Sequence, residues 1–212
     1  LLTVFLLALA MLVASCGGSG GGGAQGTADH GKDKSGGTAG KKGMDHGSGG
    51  TASGLLKENG KYSDERFIDA MVPHHEGAVE MARVAKKHAE HPEIKQLAEN
   101  IVTTQRAEIE DLESIKQEEF GTSHVPRKMG MGQMNSMGMM MDPGALAKEK
   151  PFDKAFIDNM IPHHNSAIGM ATVARGETDN PKIEELATNI VEAQRREISQ
   201  MKQWRNQWYQ GD

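Results

Sequence analysis

Two stretches of the chain match each other without a gap at a constant offset of 89 residues. Residues 67–120 answer residues 156–209: "FIDAMVPHHEGAVEMARVA" is followed by "FIDNMIPHHNSAIGMATVA", and "HPEIKQLAENIVTTQRAEI" by "NPKIEELATNIVEAQRREI". A repeat of this length limits the fold to an even set of like elements. Within each copy the apolar residues recur every three or four positions, which reads as two helices. The first runs from about Asp64 to Ala89 and the second from Pro92 to Phe120; their equivalents begin near Asp153 and at Pro181. Proline fits the first turn of a helix, where its missing N–H costs nothing, and Asn180 before Pro181 is a good N-cap. Four helices of roughly 25 residues each are about 38 Å long. Short turns make the helices of each copy antiparallel neighbours, and neither hairpin covers its own apolar stripe. The expected fold is all-α: a four-helix bundle of two tandem hairpins with pseudo-twofold symmetry.

The flanks are of other kinds. Residues 1–14 form an uncharged apolar run, too short to span a bilayer but suited to the h-region of a signal peptide. No methionine or basic residue precedes it, so the natural chain is expected to start a few residues earlier. The run leads through "VASC" into "GGSGGGG", which resembles a lipoprotein lipobox with Cys16 as the lipidated residue; a plain secretory signal is the alternative. The expected division is a signal peptide over 1–15, a flexible tether over 16–61, and a bundle over 62–209. Within the bundle, repeat one covers 62–120, a link 121–150 and repeat two 151–209. The tether is rich in Gly, Ser, Thr, Lys and Asp and has too little apolar surface to offset its ordering entropy. Its His30, Met44 and His46 read as weak metal-collecting residues or as spacer.

Cys16 is the only cysteine. A lipidated Cys16 leaves neither thiol nor disulfide, so packing must stabilise the fold and soft-metal chemistry must use methionine or histidine. A net charge of −5 with mixed signs shows no basic patch and speaks against nucleic acid.

On a helical wheel, Phe67, Ile68, Met71, Ala78, Met81 and Ala82 share one face, and His74 and His75 fall inside it. On the next helix Gln105 and Glu108 lie among Ile94, Leu97, Ala98, Ile101, Ile109 and Leu112. Folding the hairpin at its turn places residues level when their numbers sum to about 181, which brings the two histidines beside Gln105 and Glu108. His163 and His164 meet Gln194 and Glu197 by the same rule, and Met160 and Met170 repeat Met71 and Met81. Pro73 and Pro162 should kink or restart their helices just before the histidines. Buried polar groups on one level must pair internally or hold an ion. Imidazole pairs oriented by carboxylates favour the ion; a structural hydrogen-bond network is the alternative. His88 and His91, near the exposed turn, are expected to be dispensable for this layer.

The link contains "MGMGQMNSMGMMM". Seven of its thirteen residues are methionine: Met129, Met131, Met134, Met137, Met139, Met140 and Met141. Glycine and the lack of a helical period exclude a packed core helix, leaving a metal-binding tract or a flexible apolar flap.

The segments "M-x-P-H-H-x-x-A-x-x-M-A" and "Q-R-x-E-I", each present twice, resemble the ferritin-like bacterial family known as domain of unknown function 305. The resemblance covers roughly 62–209. It implies a ferritin-like bundle exported from the cytoplasm, and some members of the family are periplasmic copper-binding proteins linked to copper resistance.

Thioether sulfur suits Cu(I), and imidazole suits both copper oxidation states. The expected function is therefore copper binding for buffering, storage or resistance, in a lipoprotein anchored on the extracytoplasmic side of the membrane. Silver serves as surrogate, and any copper-delivery partner is unspecified. The alternatives are a ferritin-like copper or iron oxidase and a metal-free cell-surface interaction module. Against the oxidase, the chain has no Glu-x-x-His.

Overall fold

The computed structural model describes residues 54–127 and 142–210. Cys16, His30, Met44, His46 and the Met-rich tract over 129–141 lie outside the described residues. The fold is all-α apart from a two-residue ribbon, β1 (Lys57–Glu58) paired antiparallel with β2 (Lys61–Tyr62). Four long helices follow: α1 (Asp64–His88), α2 (Pro92–Phe120), α4 (Phe152–Glu177) and α5 (Pro181–Trp208), with a single turn, α3 (Pro143–Leu146), before α4. Among the described residues no helix is long and apolar enough to cross a membrane.

The helix boundaries follow local chemistry. Ser63 caps α1 by accepting from the Arg66 N–H, with Asp64 and Glu65 in the first turn and Lys86, Lys87 and His88 in the last. Charges so placed complement the helix dipole. Pro92 and Pro181 open α2 and α5, and the Asn180 side chain accepts from the N–H groups of Lys182 and Ile183. Gly121 ends α2 in the left-handed region at φ 72°, a conformation that costs a residue without Cβ little. Both α1 and α4 run on through Pro73 and Pro162, so neither proline restarts its helix.

The core consists of two apolar clusters. One takes Phe67–Val72 of α1, Leu112 and Ile115 of α2, Ala167–Ala174 of α4 and Ile183–Val191 of α5. The other takes Ala78–Ala85 of α1, Ile94–Ile101 of α2, Phe152–Met160 of α4, and Ile198 and Met201 of α5. The start of α1 thus packs with the end of α4, and the end of α2 with the start of α5. Every neighbouring pair is antiparallel, and the axis relating the hairpins crosses the bundle between the clusters. The end of α2 lies beside one cluster and the start of α4 in the other. Val125 is buried in the first cluster and Leu146 in the second.

Part of the segment assigned to the tether on composition packs on the bundle. Residues 54–61 fall at the end of the expected tether, yet Leu56 is fully buried in the first cluster, with Leu55 and Tyr62 packed against it. Two adjacent leucines followed by a tight Asn59–Gly60 turn suffice to fold this segment back onto the bundle.

Candidate metal-binding layer

Each long helix also carries polar side chains on its inward face, outside both clusters. Between the clusters lie His74 and His75 of α1, Gln105 and Glu108 of α2, His163 and His164 of α4, and Gln194 and Glu197 of α5. All four imidazoles are at most 1% exposed, and Gln105 and Gln194 are 2% and 3% exposed. The expected convergence on one level is what the helices produce.

The histidines divide by role. His75 Nε2 stands 2.9 Å from Oε2 of Glu108, within ion-pair range but not aligned as a hydrogen bond. His164 Nε2 is 2.6 Å from Oε2 of Glu197. Each outer histidine therefore faces the carboxylate of its own hairpin. The inner two, His74 and His163, meet across the hairpins with ring centres 3.8 Å apart and planes tilted by 42°. Within each pair the adjacent rings are 6.2 Å and 6.4 Å apart.

Burial, and after it the neighbouring imidazoles His74, His164 and His75, hold His163 well below the ordinary histidine range. A contact with the His74 backbone acts weakly in the opposite sense. His163 is thus neutral at physiological pH, the form in which an imidazole ligates a metal. Several polar atoms of the layer have no hydrogen-bond partner among the described residues: both amide atoms of Gln105 and of Gln194, both His163 nitrogens, and Nδ1 of His75 and His164. Buried polar atoms left in this way are costly and call for water or an ion.

Four methionines flank the layer. Met71 and Met170 lie in the first cluster, Met81 and Met160 in the second, all at most 5% exposed. Repeat-equivalent methionines thus approach from opposite sides, as the crossing axis requires. The donor set of neutral imidazole and thioether with no thiol suits Cu(I). The donors are not gathered around a point, however. Among the described residues no group of three or more His, Cys, Asp or Glu side chains is placed to hold an ion. Two metal–nitrogen bonds of about 2 Å each would separate facing nitrogens by about 4 Å, and the ring centres by more. The inner ring centres, at 3.8 Å, are closer than in two imidazoles that share one linearly coordinated ion.

Several features were not read from the sequence. Met201, fully buried four residues after Glu197, adds a thioether to the second cluster; its i+4 spacing was the available signal. Asp153, named from the sequence only as the point near which α4 begins, is 1% exposed and accepts from the N–H groups of Glu90 and His91 and contacts the His91 ring. His88 is exposed and lies outside the layer. Lys116, also buried, pairs with Asp69 and Glu65.

The family described as "Domain of unknown function (DUF305)" matches the chain over residues 18–116 and again over residues 64–205. Among solved structures the chain is similar to CopM in the Cu(II)-bound form, with a TM-score of 0.64 and 40% identity over 70% of this chain and 99% of that one. CopM in the Cu(I)-bound form gives a TM-score of 0.62 at the same identity and coverage. A DUF305 fragment from Deinococcus radiodurans shares the fold, with a TM-score of 0.60 at 24% identity over 66% of this chain and 92% of that one. Uncharacterized protein L153 of Acanthamoeba polyphaga mimivirus is 43% identical over 49 residues, which are 23% of this chain and 32% of that protein. The chain therefore spans about a third of that relative's length.

Proposed function

The chain belongs to the family described as domain of unknown function (DUF305), and from that premise we propose that it is an extracytoplasmic copper-binding lipoprotein that buffers, stores or detoxifies the metal. The observation that carries this reading is the polar layer, in which four buried imidazoles and two carboxylates lie between four buried methionines. The likeness to CopM, which has been solved with Cu(I), Cu(II) and silver, supports copper as the cargo.

In this reading His74, His75, His163 and His164 are the nitrogen ligands, and Met71, Met81, Met160 and Met170 the thioether donors. Glu108 and Glu197 orient the outer imidazoles, and an arriving cation displaces these contacts or is shared with them. Gln105 and Gln194 supply amide groups to the rearranged layer. The Met-rich tract adds further soft sites. Cys16 carries the lipid that holds the protein at the membrane, where several acyl chains give firm retention.

Elemental analysis of protein purified from copper-supplemented cells, followed by anaerobic Cu(I) titration, tests the central claim. Copper bound in stoichiometric amount is expected; metal-free protein that takes up no Cu(I) would overturn it. Replacing Cys16→Ser tests the anchor, since the variant should leave the membrane fraction while the native protein stays in it.

A further inference from the structure

A second imidazole environment lies outside the layer, at the turn between α1 and α2, where the chain reads His88-Ala-Glu-His91. The Asp153 carboxylate of α4, 1% exposed, accepts from the Glu90 N–H at 3.0 Å and the His91 N–H at 2.8 Å, and its Oδ2 lies 2.6 Å from His91 Nδ1. The His91 ring also stacks on the Trp208 indole, with centres 3.8 Å apart and planes 5° apart. Trp208 stacks in turn on Trp204 at 5.6 Å.

These contacts fix both the position and the plane of the ring. An ionised carboxylate only accepts, so the proton sits on Nδ1 and the lone pair of the neutral ring on Nε2. Nε2, at the opposite edge, has no partner among the described residues, and the side chain is 36% exposed. Metal-ligating histidines almost always donate their other N–H to a carboxylate or carbonyl, which orients the ring and raises its basicity. His91 has that arrangement with its ligating nitrogen open.

We propose that His91 Nε2 is the fixed ligand of a surface Cu(II) site, separate from the buried layer, with the exposed His88 imidazole swinging in as second ligand and water completing the sphere. Imidazole nitrogen and water are borderline-to-hard donors, and divalent copper heads the affinity order for such a set. The two histidines are three positions apart, a spacing that limits their Cα atoms to about 10 Å and lies within the combined reach of the side chains.

The stacked indole provides the readout, because Trp204 and Trp208 are the only tryptophans in the chain. Aqueous Cu(II) titrated into the metal-free full chain should quench tryptophan emission. His91→Gln should weaken the apparent affinity at least tenfold, and Asp153→Asn should weaken it about tenfold with His91 still present. His124→Gln, which alters an exposed histidine of the link, should leave the curve unchanged. Unaltered quenching in a folded His91→Gln variant would overturn the proposal. If that variant fails to fold, broadening of the His91 ring resonances in the native protein at substoichiometric Cu(II) decides: broadened signals support the site and sharp ones exclude it. Cu(I) titration of the same variants reports separately on the buried layer, so the two readings fail independently.

Discussion

His74 and His163 touch across the two hairpins, with ring centres 3.8 Å apart. Two imidazolium rings at that distance in an apolar surround would repel each other strongly, and burial already opposes charge on His163. The contact therefore belongs to a layer in which His163 is neutral, the inner rings close on each other and the outer rings face Glu108 and Glu197. Copper loading would exchange these contacts for metal bonds, so the layer should respond to acid and to metal in opposite directions.

The acid response follows from His163. Its folded-state pKa lies well below its unfolded value of 6.5. Above pH 6.5 the group is neutral in both states and contributes no pH dependence. Below it the unfolded chain takes up a proton that the folded protein refuses, so stability falls with pH until the folded pKa is reached. The limiting slope is about 1.4 kcal/mol per pH unit for one such group. Urea unfolding of metal-free protein at pH 7.0, 6.0 and 5.0 should show this loss, and His163→Gln should flatten it.

Removing His74 and His75 together should abolish tight Cu(I) binding in that half of the layer, measured in protein that also lacks the Met-rich tract. The metal-free double variant His74→Leu/His75→Leu should unfold no earlier than its parent, because replacing buried polar groups by apolar ones of similar size is often neutral or stabilising. Undiminished Cu(I) affinity would reduce the histidines to a structural network.

The hairpins, the helix ends at Pro92, Phe120 and Pro181, and the level of the polar layer were all legible in the sequence. They depend on local signals: a 3.6-residue period, proline at helix starts and a constant height sum within one hairpin. Side-chain pairings between hairpins were not legible, since height does not give the direction a ring faces. The sum rule places Glu108 near both His74 and His75, and only the packing of α1 on α4 turns His74 towards His163. Asp153 has the same limitation, because its partners lie on a turn of the other repeat. The ion pair of Lys116 with Asp69 could have been found, as Arg205 and Asp158 occupy the same two positions 89 residues later and pair at 2.5 Å.

Deleting residues 129–141 should lower Cu(I) capacity while leaving helical content and thermal unfolding nearly unchanged. The link is anchored by Val125 in one cluster and Leu146 in the other, and both remain. A shortened link must still join the two clusters, so the deletion should be filled with an equal length of Gly and Ser. Circular dichroism and a Cu(I) titration on one sample check both parts, and a large loss of helix would mean that the tract packs.

Lys116 has a side chain only 3% exposed, paired with Asp69 and, at 3.5 Å, with Glu65. Removing one member of a buried ion pair strands the other charge at a cost of about 3–5 kcal/mol, whereas an apolar replacement of similar shape can be neutral. Asp69 is itself 23% exposed and Glu65 remains to share the charge, which places Asp69→Ala at the low end, about 3 kcal/mol. Lys116→Met leaves Asp69 free to turn to water and should cost less than about 1 kcal/mol. The double variant Asp69→Ala/Lys116→Met should then be more stable than Asp69→Ala alone, since it removes the stranded ammonium. Urea unfolding of the four proteins measures the coupling directly. Equal losses from the two single variants would show that the pair acts through packing of the lysine stem and not through its charge.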